Sequence, residues 1–168
     1  MRRPIVTRVS ELPVDGSLST WCLVGMVPEV EDGEAWSFRT GSAKTVRPTM
    51  VSTGGETVLI DASWGVWPLQ KRPGTPFPET ILIGRASNSD VCIVDGGISK
   101  LHARVRLVRE EVWIADAASS NGTAVNGESI GKEWVALSDG DLIRFGTCLL
   151  QVFSPAHLTD IVRKLRVS

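Results

Sequence analysis

The chain reads as an all-β protein: a sandwich of two antiparallel sheets, preceded by a β-rich extension and followed by one short helix. Three observations predict this. Apolar runs of strand length recur from residue 58 to residue 153, turns rich in Gly, Asn and Asp separate them, and a helical period of apolar residues appears only at the C-terminal end.

Taken in order, residues 5–9 read as a strand and 21–27 as a stronger one, expected to pair with 35–39 across a turn containing Asp32 and Gly33. This hairpin is expected to add to a sheet, because so few large apolar side chains could not hold a core of their own. Residues 40–55 are rich in Thr, Ser, Gly, Lys and Pro and read as a long exposed, partly disordered loop. Residues 58–60 and 64–67 follow as strands, with Trp64 and Trp67 on opposite faces and one of them exposed to a partner. Residues 71–78 hold three prolines and a glycine, which makes a loop before the fully apolar strand 81–83.

Asn88-Ser89-Asp90 turns the chain into a strand at 91–94. Residues 103–107 alternate, with Ala103, Val105 and Leu107 inward and Arg104 and Arg106 toward water. Arg109-Glu110-Glu111 turns this strand back into 112–116. Short strands at 123–125 and 134–137 are expected either side of the Asn126-Gly127 turn, and 142–145 with 148–153 close the sheets. Trp113 and Trp134 are assigned to the core. At the end, Ser154 is a good N-cap, Pro155 suits the first helical position, and Leu158, Ile161, Val162 and Leu165 form one apolar stripe. The expected organisation is therefore an extension over 1–56, a sandwich over 57–154 and a packed helix over 155–168.

Composition narrows the function classes. With 168 residues, 42% hydrophobic and 22% charged, the chain is long enough for one well-buried core. A formal charge of -1 and a pI near 6.1 provide no bulk field for nucleic acid or an anionic membrane, so neither is expected as a partner. No apolar run approaches membrane-spanning length and the N-terminus has no signal-peptide core, which predicts a cytoplasmic protein. Cys22, Cys92 and Cys148 lie far apart among apolar neighbours and read as buried reduced thiols. With only His102 and His157 and no Cys-x-x-Cys, neither a metal site nor a cofactor is expected.

The polar knots between strands carry the chemistry. They are Gly84-Arg85, then Gly96-Gly97-Ile98-Ser99-Lys100-Leu101-His102, then Ser119-Ser120-Asn121-Gly122-Thr123, then Asn126-Gly127. Arg85 offers a planar fork of donors, Ser99 a hydroxyl, Lys100 an ammonium, and the turn at Ser120 and Asn121 offers backbone N–H groups and an amide. Such a set suits a phosphate, which has acceptor oxygens to spare and takes Arg bidentately. Ser99 and His102 also invite an enzymatic reading, but no Gly-x-Ser-x-Gly elbow surrounds Ser99 and Asp116 is explained as a strand-end residue before a turn, so no catalytic residues are assigned.

In that order and spacing, with Leu137-x-Asp139-Gly140-Asp141-x-Ile143 following, the series from about residue 58 to 153 resembles a forkhead-associated (FHA) domain. The resemblance implies an FHA-like β-sandwich that reads phosphothreonine peptides. It implies that Arg85 clamps the phosphate, Ser99 donates to it and Lys100 adds charge. Ser120 would offer its backbone N–H to the phosphate, and Asn121 would bond the ligand's main chain. Gly84, His102 and Gly122 would shape the loops. Gly97 stands where some members carry a selecting side chain, so selection for an acidic peptide residue there is expected to be weak.

The partner expected on this reading is a phosphothreonine-containing protein or peptide, a Ser/Thr kinase or its substrate, bound by a non-catalytic signalling adaptor. The alternative is a scaffold that binds an unphosphorylated partner, or self-associates as a homo-oligomer through its N-terminal extension. A phosphorylated Thr45 or Thr49 docking into a second copy's Arg85 would join the two.

Overall fold

The computed structural model describes residues 6–27, 49–53 and 56–167. In chain order they form β1 (Thr7–Arg8), a single 3-10 turn (Val9–Glu11), β2 (Cys22–Gly25), β3 (Thr49–Thr53), β4 (Glu56–Ile60) and β5 (Gly65–Pro68). There follow β6 (Ile81–Gly84), β7 (Val91–Cys92), β8 (Ala103–Val108), β9 (Glu111–Asp116) and β10 (Thr123–Val125). The chain ends with β11 (Glu128–Ile130), β12 (Val135–Leu137), β13 (Leu142–Phe145), β14 (Cys148–Phe153) and helix α1 (Pro155–Val167).

The strands assemble a seven-stranded sheet in the order β1-β5-β2-β14-β13-β10-β11 and a five-stranded sheet in the order β12-β9-β8-β6-β7, with β3 and β4 as a separate ribbon. Alternation along each strand sends one set of side chains between the two sheets. Leu23, Trp67, Ile143, Phe145 and Leu150 of the larger sheet meet Ile83, Val105 and Ile114 of the smaller one in the main core. The mostly β architecture with two sheets and a C-terminal helix is the fold class expected from the sequence, with β6–β7 as a parallel pair among the antiparallel ones.

A second core lies behind the larger sheet. The stripe Leu158, Ile161 and Val162 of α1 packs on Cys22, Val24, Val66 and Phe153, joined by Val58 and Ile60 of β4 and by Val9 and Leu12. Burying each of those three helical side chains contributes ~1.5–3 kcal/mol. Ser154 Oγ accepts from the His157 N–H at 3.3 Å, and Asp139 holds this cap by accepting from the Ser154 N–H at 3.0 Å and from His157 Nδ1 at 2.8 Å. At the other end Arg166 Nη2 donates to Leu12 O at 2.6 Å and Arg163 Nε to Val14 O at 2.8 Å, fastening the helix to the N-terminal segment.

Several expectations are corrected. Residues 49–53, read as loop, are strand β3, because a five-residue antiparallel register from Thr49↔Ile60 to Thr53↔Glu56 ties them to β4. The expected partner of 21–27, residues 35–39, lies outside the described residues, and both edges of β2 are taken, by β5 and β14. A boundary at residue 56 would thus fall inside the larger sheet, with β1 and β2 on one side of it and β5 and β14 on the other. The strand after the Asn126-Gly127 turn is β11, which pairs back on β10, while β12 crosses to the other sheet. Trp113 and Trp134 are half-buried on the outer face of the five-stranded sheet, not in the core. Trp113 stands opposite Arg106 there, and the Arg106 and Arg104 guanidinium carbons lie 4.5 and 5.4 Å from the Trp134 ring centroid. Trp64 precedes β5 and is half-buried against the second core, while Trp67 is buried in the main one. All three cysteines are buried, and burial pushes the Cys22 thiol up to about 12.

Candidate functional site

The site begins where β6 meets the loop 93–102. A Cβ on Gly84 would lie 2.0 Å from Lys100 O, so only glycine allows the two backbones to come together. At this contact the Arg85 N–H donates to Ser99 O at 3.0 Å and the Ala86 N–H to Lys100 O at 3.2 Å. Arg85, delivered at a rigid strand end, turns its exposed side chain back over the same loop, and its Nε donates to Ile98 O at 3.0 Å. That bond orients the guanidinium and spends one N–H. Neither Nη atom has a partner among the described residues, and the Lys100 ammonium is likewise exposed without one.

His102 braces the loops from within. It is fully buried, its backbone N–H donates to Ile83 O at 2.8 Å, and its ring meets Phe145 edge-on at 5.2 Å. Nδ1 accepts from the Ser99 N–H at 3.0 Å, so the ring proton sits on Nε2, which donates to Gly122 O at 2.9 Å. One imidazole thereby links the loop of Ser99 to the loop of Asn121. Neither ring nitrogen is bonded to Ser99 Oγ, which instead accepts from the Ser120 N–H at 3.0 Å. A nucleophile and base pairing is not what this geometry builds.

Asp116 organises the third loop from below. Its carboxylate accepts from Ser119 Oγ at 2.6 Å, from the Ser119 N–H at 3.0 Å and from Thr123 Oγ1 at 2.7 Å. Burial raises its pKa, and these hydrogen bonds outweigh that to hold it below the usual carboxylate value. Ser119 Oγ in turn accepts from the Gly122 N–H at 3.0 Å, which sets the turn with Gly122 at a positive φ of 81°. Asn121 Nδ2 then reaches across to Gly97 O at 3.0 Å.

Arg85, Ser99, Ser120 and Asn121 are thus brought together, each by a hydrogen bond that crosses from one loop to the next, and Lys100 lies between them in sequence. The structure differs from expectation in where two donors point: the Ser120 N–H and the Asn121 amide are both engaged within the protein. What stays uncommitted among the described residues is the Nη pair of the exposed Arg85, the donor capacity of the Ser99 hydroxyl and the ammonium of the exposed Lys100. No carboxylate pairs with either cation among the described residues.

One contributor went unnoticed in the sequence. The turn between β13 and β14 packs beneath Gly97: the Gly146 N–H donates to Gly122 O at 3.0 Å, and a Cβ on Gly146, at φ 60°, would lie 2.6 Å from Gly97 O. A glycine between two apolar runs signalled the hairpin turn but not its placement under the cup formed by the loops of Arg85, Ser99 and Asn121.

The FHA domain family model matches residues 81–146. The FHA domain-containing protein FhaA of Mycobacterium tuberculosis is 38% identical over 65 residues, which is 39% of this chain and 12% of that protein. The oxoglutarate dehydrogenase inhibitor of Corynebacterium jeikeium is 38% identical over 68 residues, 40% of this chain and 46% of that protein. This chain therefore spans less than half the length of these curated relatives. Among solved structures, Mycobacterium tuberculosis EmbR in complex with a low-affinity phosphopeptide is 29% identical with a TM-score of 0.45, over 53% of this chain and 21% of that one. On the family match, residues 81–146 of this chain, which hold Gly84, Arg85, Ser99, His102, Asn121 and Gly122, are an FHA domain.

Proposed function

We propose that this protein is a phosphothreonine-peptide binding module, without a catalytic step of its own, that docks onto a protein phosphorylated by a Ser/Thr kinase. The observation that carries this reading is the uncommitted donor set of Arg85, Ser99 and Lys100, held on loops that are bonded to one another and not neutralised by any described carboxylate. The family to which residues 81–146 belong reads phosphorylated motifs through arginine, and relatives carry names of regulation or inhibition, such as the glycogen accumulation regulator GarA.

A phosphate dianion would receive the Nη fork of Arg85 and the hydroxyl of Ser99, with Lys100 as a nearby point charge. The Asn121 amide is already spent on Gly97 O, so its role toward a peptide main chain requires that bond to be exchanged. A single phosphopeptide would bind at about micromolar Kd, about -8 kcal/mol, since a few charge-assisted bonds must offset the ordering of an extended peptide. An oriented phosphothreonine library read with the wild type and with Arg85→Ala tests this: phosphate-dependent enrichment that vanishes in the variant is expected. Equal retention of unphosphorylated peptides would refute it.

A further inference from the structure

A second feature lies at the opposite end of β6. Ile81, at its start, helps to floor a cavity of about 590 Å³ together with Leu69 and Leu107. Gly84, where the cup begins, stands three residues further on, or roughly 10 Å along a strand. The volume is of the size that holds a ligand or a peptide side chain.

The wall of this cavity carries Arg106, Arg109, Glu79 and Lys71. Lys71 is spent, since its ammonium donates to Pro76 O and Thr80 O at 2.9 Å and to Asp90 Oδ2 at 2.8 Å. The two arginines are not. Arg106 lies on the Trp134 ring and makes one long bond, from Nε to Thr80 Oγ1 at 3.5 Å, while Arg109 has no hydrogen bond or ion pair among the described residues. Neither arginine pairs with Glu79 or with any other described carboxylate.

Two strained residues lie in or next to the lining, Arg109 itself and Phe77. Arg109 and Phe77 both hold φ at 59°, which is uncommon for a side chain of any size and a true outlier for Phe. Phe77 precedes Pro78 of the cavity wall and is 65% exposed. Its loop is nonetheless fixed, by the Lys71 bonds, by Thr75 Oγ1 donating to Asp90 Oδ1 at 2.7 Å, and by the Thr80 N–H donating to Phe77 O at 2.9 Å. Strain that surrounding structure maintains at an exposed aromatic is characteristic of a ligand clamp.

We propose that this cavity is a second docking site, separate from the cup, for an unphosphorylated acidic peptide carrying a large apolar residue next to Asp or Glu. The apolar side chain packs on the exposed Leu107 and Val108, above the buried Leu69 and Ile81, and its neighbour's carboxylate takes Arg106 and Arg109. Charge decides the occupant, because two cations without acid partners line the cavity and Glu79 is the one acid among its lining residues. A partner engaging both ends of β6 would gain avidity from the short span between them.

A displayed library of random unphosphorylated peptides, panned on the wild-type chain, tests this, with affinities of recovered peptides read by fluorescence anisotropy. Enrichment of sequences that pair an acid with a large apolar residue is expected. Arg106→Gln with Arg109→Gln should weaken the recovered peptide by about tenfold or more, the loss of at least one charge-assisted bond. Glu79→Gln, at an exposed residue without a hydrogen bond or ion pair among the described residues, should tighten it, and Arg85→Ala should leave it unchanged. The proposal fails if the enriched sequences lack acids, if the double variant binds as the wild type does while showing the same urea midpoint, or if Glu79→Gln weakens binding. Sensitivity to Arg85→Ala would instead assign the peptide to the cup.

Discussion

Replacing Gly84 with alanine would place a methyl carbon where the Lys100 carbonyl already sits. The added Cβ would lie 2.0 Å from Lys100 O, 2.7 Å from Lys100 C and 3.0 Å from Leu101 Cα. Non-bonded carbons settle at about 3.5–4.0 Å, so β6 and the loop must part by roughly 1 Å or more. The obstructing atoms are backbone and no side-chain rotation relieves them. Separation stretches the Arg85 N–H to Ser99 O bond and the Ala86 N–H to Lys100 O bond, now 3.0 and 3.2 Å. Two such bonds contribute about 1 kcal/mol each and overpacking strain adds about 1–3 kcal/mol, for an expected loss of about 3–5 kcal/mol. Urea denaturation measures this, and titration of a phosphothreonine peptide into the folded fraction should show at least about tenfold weaker binding, because Ser99 moves away from Arg85. A Gly84→Ala protein within about 0.5 kcal/mol of wild type and with unchanged affinity would show that the close approach of β6 does not set the cup.

Arg85→Lys keeps the charge but loses both the fork and the Nε bond to Ile98 O, so calorimetric titration should show most of the phosphopeptide affinity lost, and binding within a few-fold of wild type would refute the clamp role. His102→Ala removes a buried ring and leaves the Ser99 N–H without its acceptor, with an expected loss of about 2–4 kcal/mol in urea and weaker phosphopeptide binding; stability unchanged would contradict the bracing role. Asp90→Asn strips the counter-charge from Lys71 in a buried setting and should cost about 3–5 kcal/mol by the same assay. Burial raises the pKa values of Asp90 and Asp116, but their hydrogen bonds outweigh it and hold both below 3.8. A carboxyl depressed in the folded state stabilises fully above its unfolded pKa and loses that contribution as pH falls through the folded one. Stability should therefore be level above about pH 5 and decline from about pH 4 downward, and a rise on acidification would overturn this.

The loops that hold Arg85, Ser99 and Asn121 were legible because their signals are local: glycines that permit close backbone approach, polar residues in a fixed order, and strand-length apolar runs that deliver them. The helix was legible for the same reason, since Ser154, Pro155 and the stripe to Val162 lie within a few turns of one another. What escaped depends on pairing between distant segments. Nothing in residues 49–53 announces a strand until β4 supplies a partner, and the polar composition of that region pointed the other way. Trp113 was assigned to the core on size alone, whereas its register opposite Arg106 puts it on the outer face. The engagement of Asn121 with Gly97 O, and the wedge of Gly146 beneath it, likewise arise from loops far apart in sequence.

The threading of β2 between β5 and β14 limits how this protein can be divided. A fragment trimmed to begin at residue 57 would keep every loop of the cup, yet it would open a gap in the middle of the larger sheet and leave two rows of backbone donors and acceptors unmatched. Such bare flanks recruit strands from other molecules, so the shortened piece should precipitate or pair with itself. The part a sequence comparison recognises is smaller than the part that must be made to obtain it in working form.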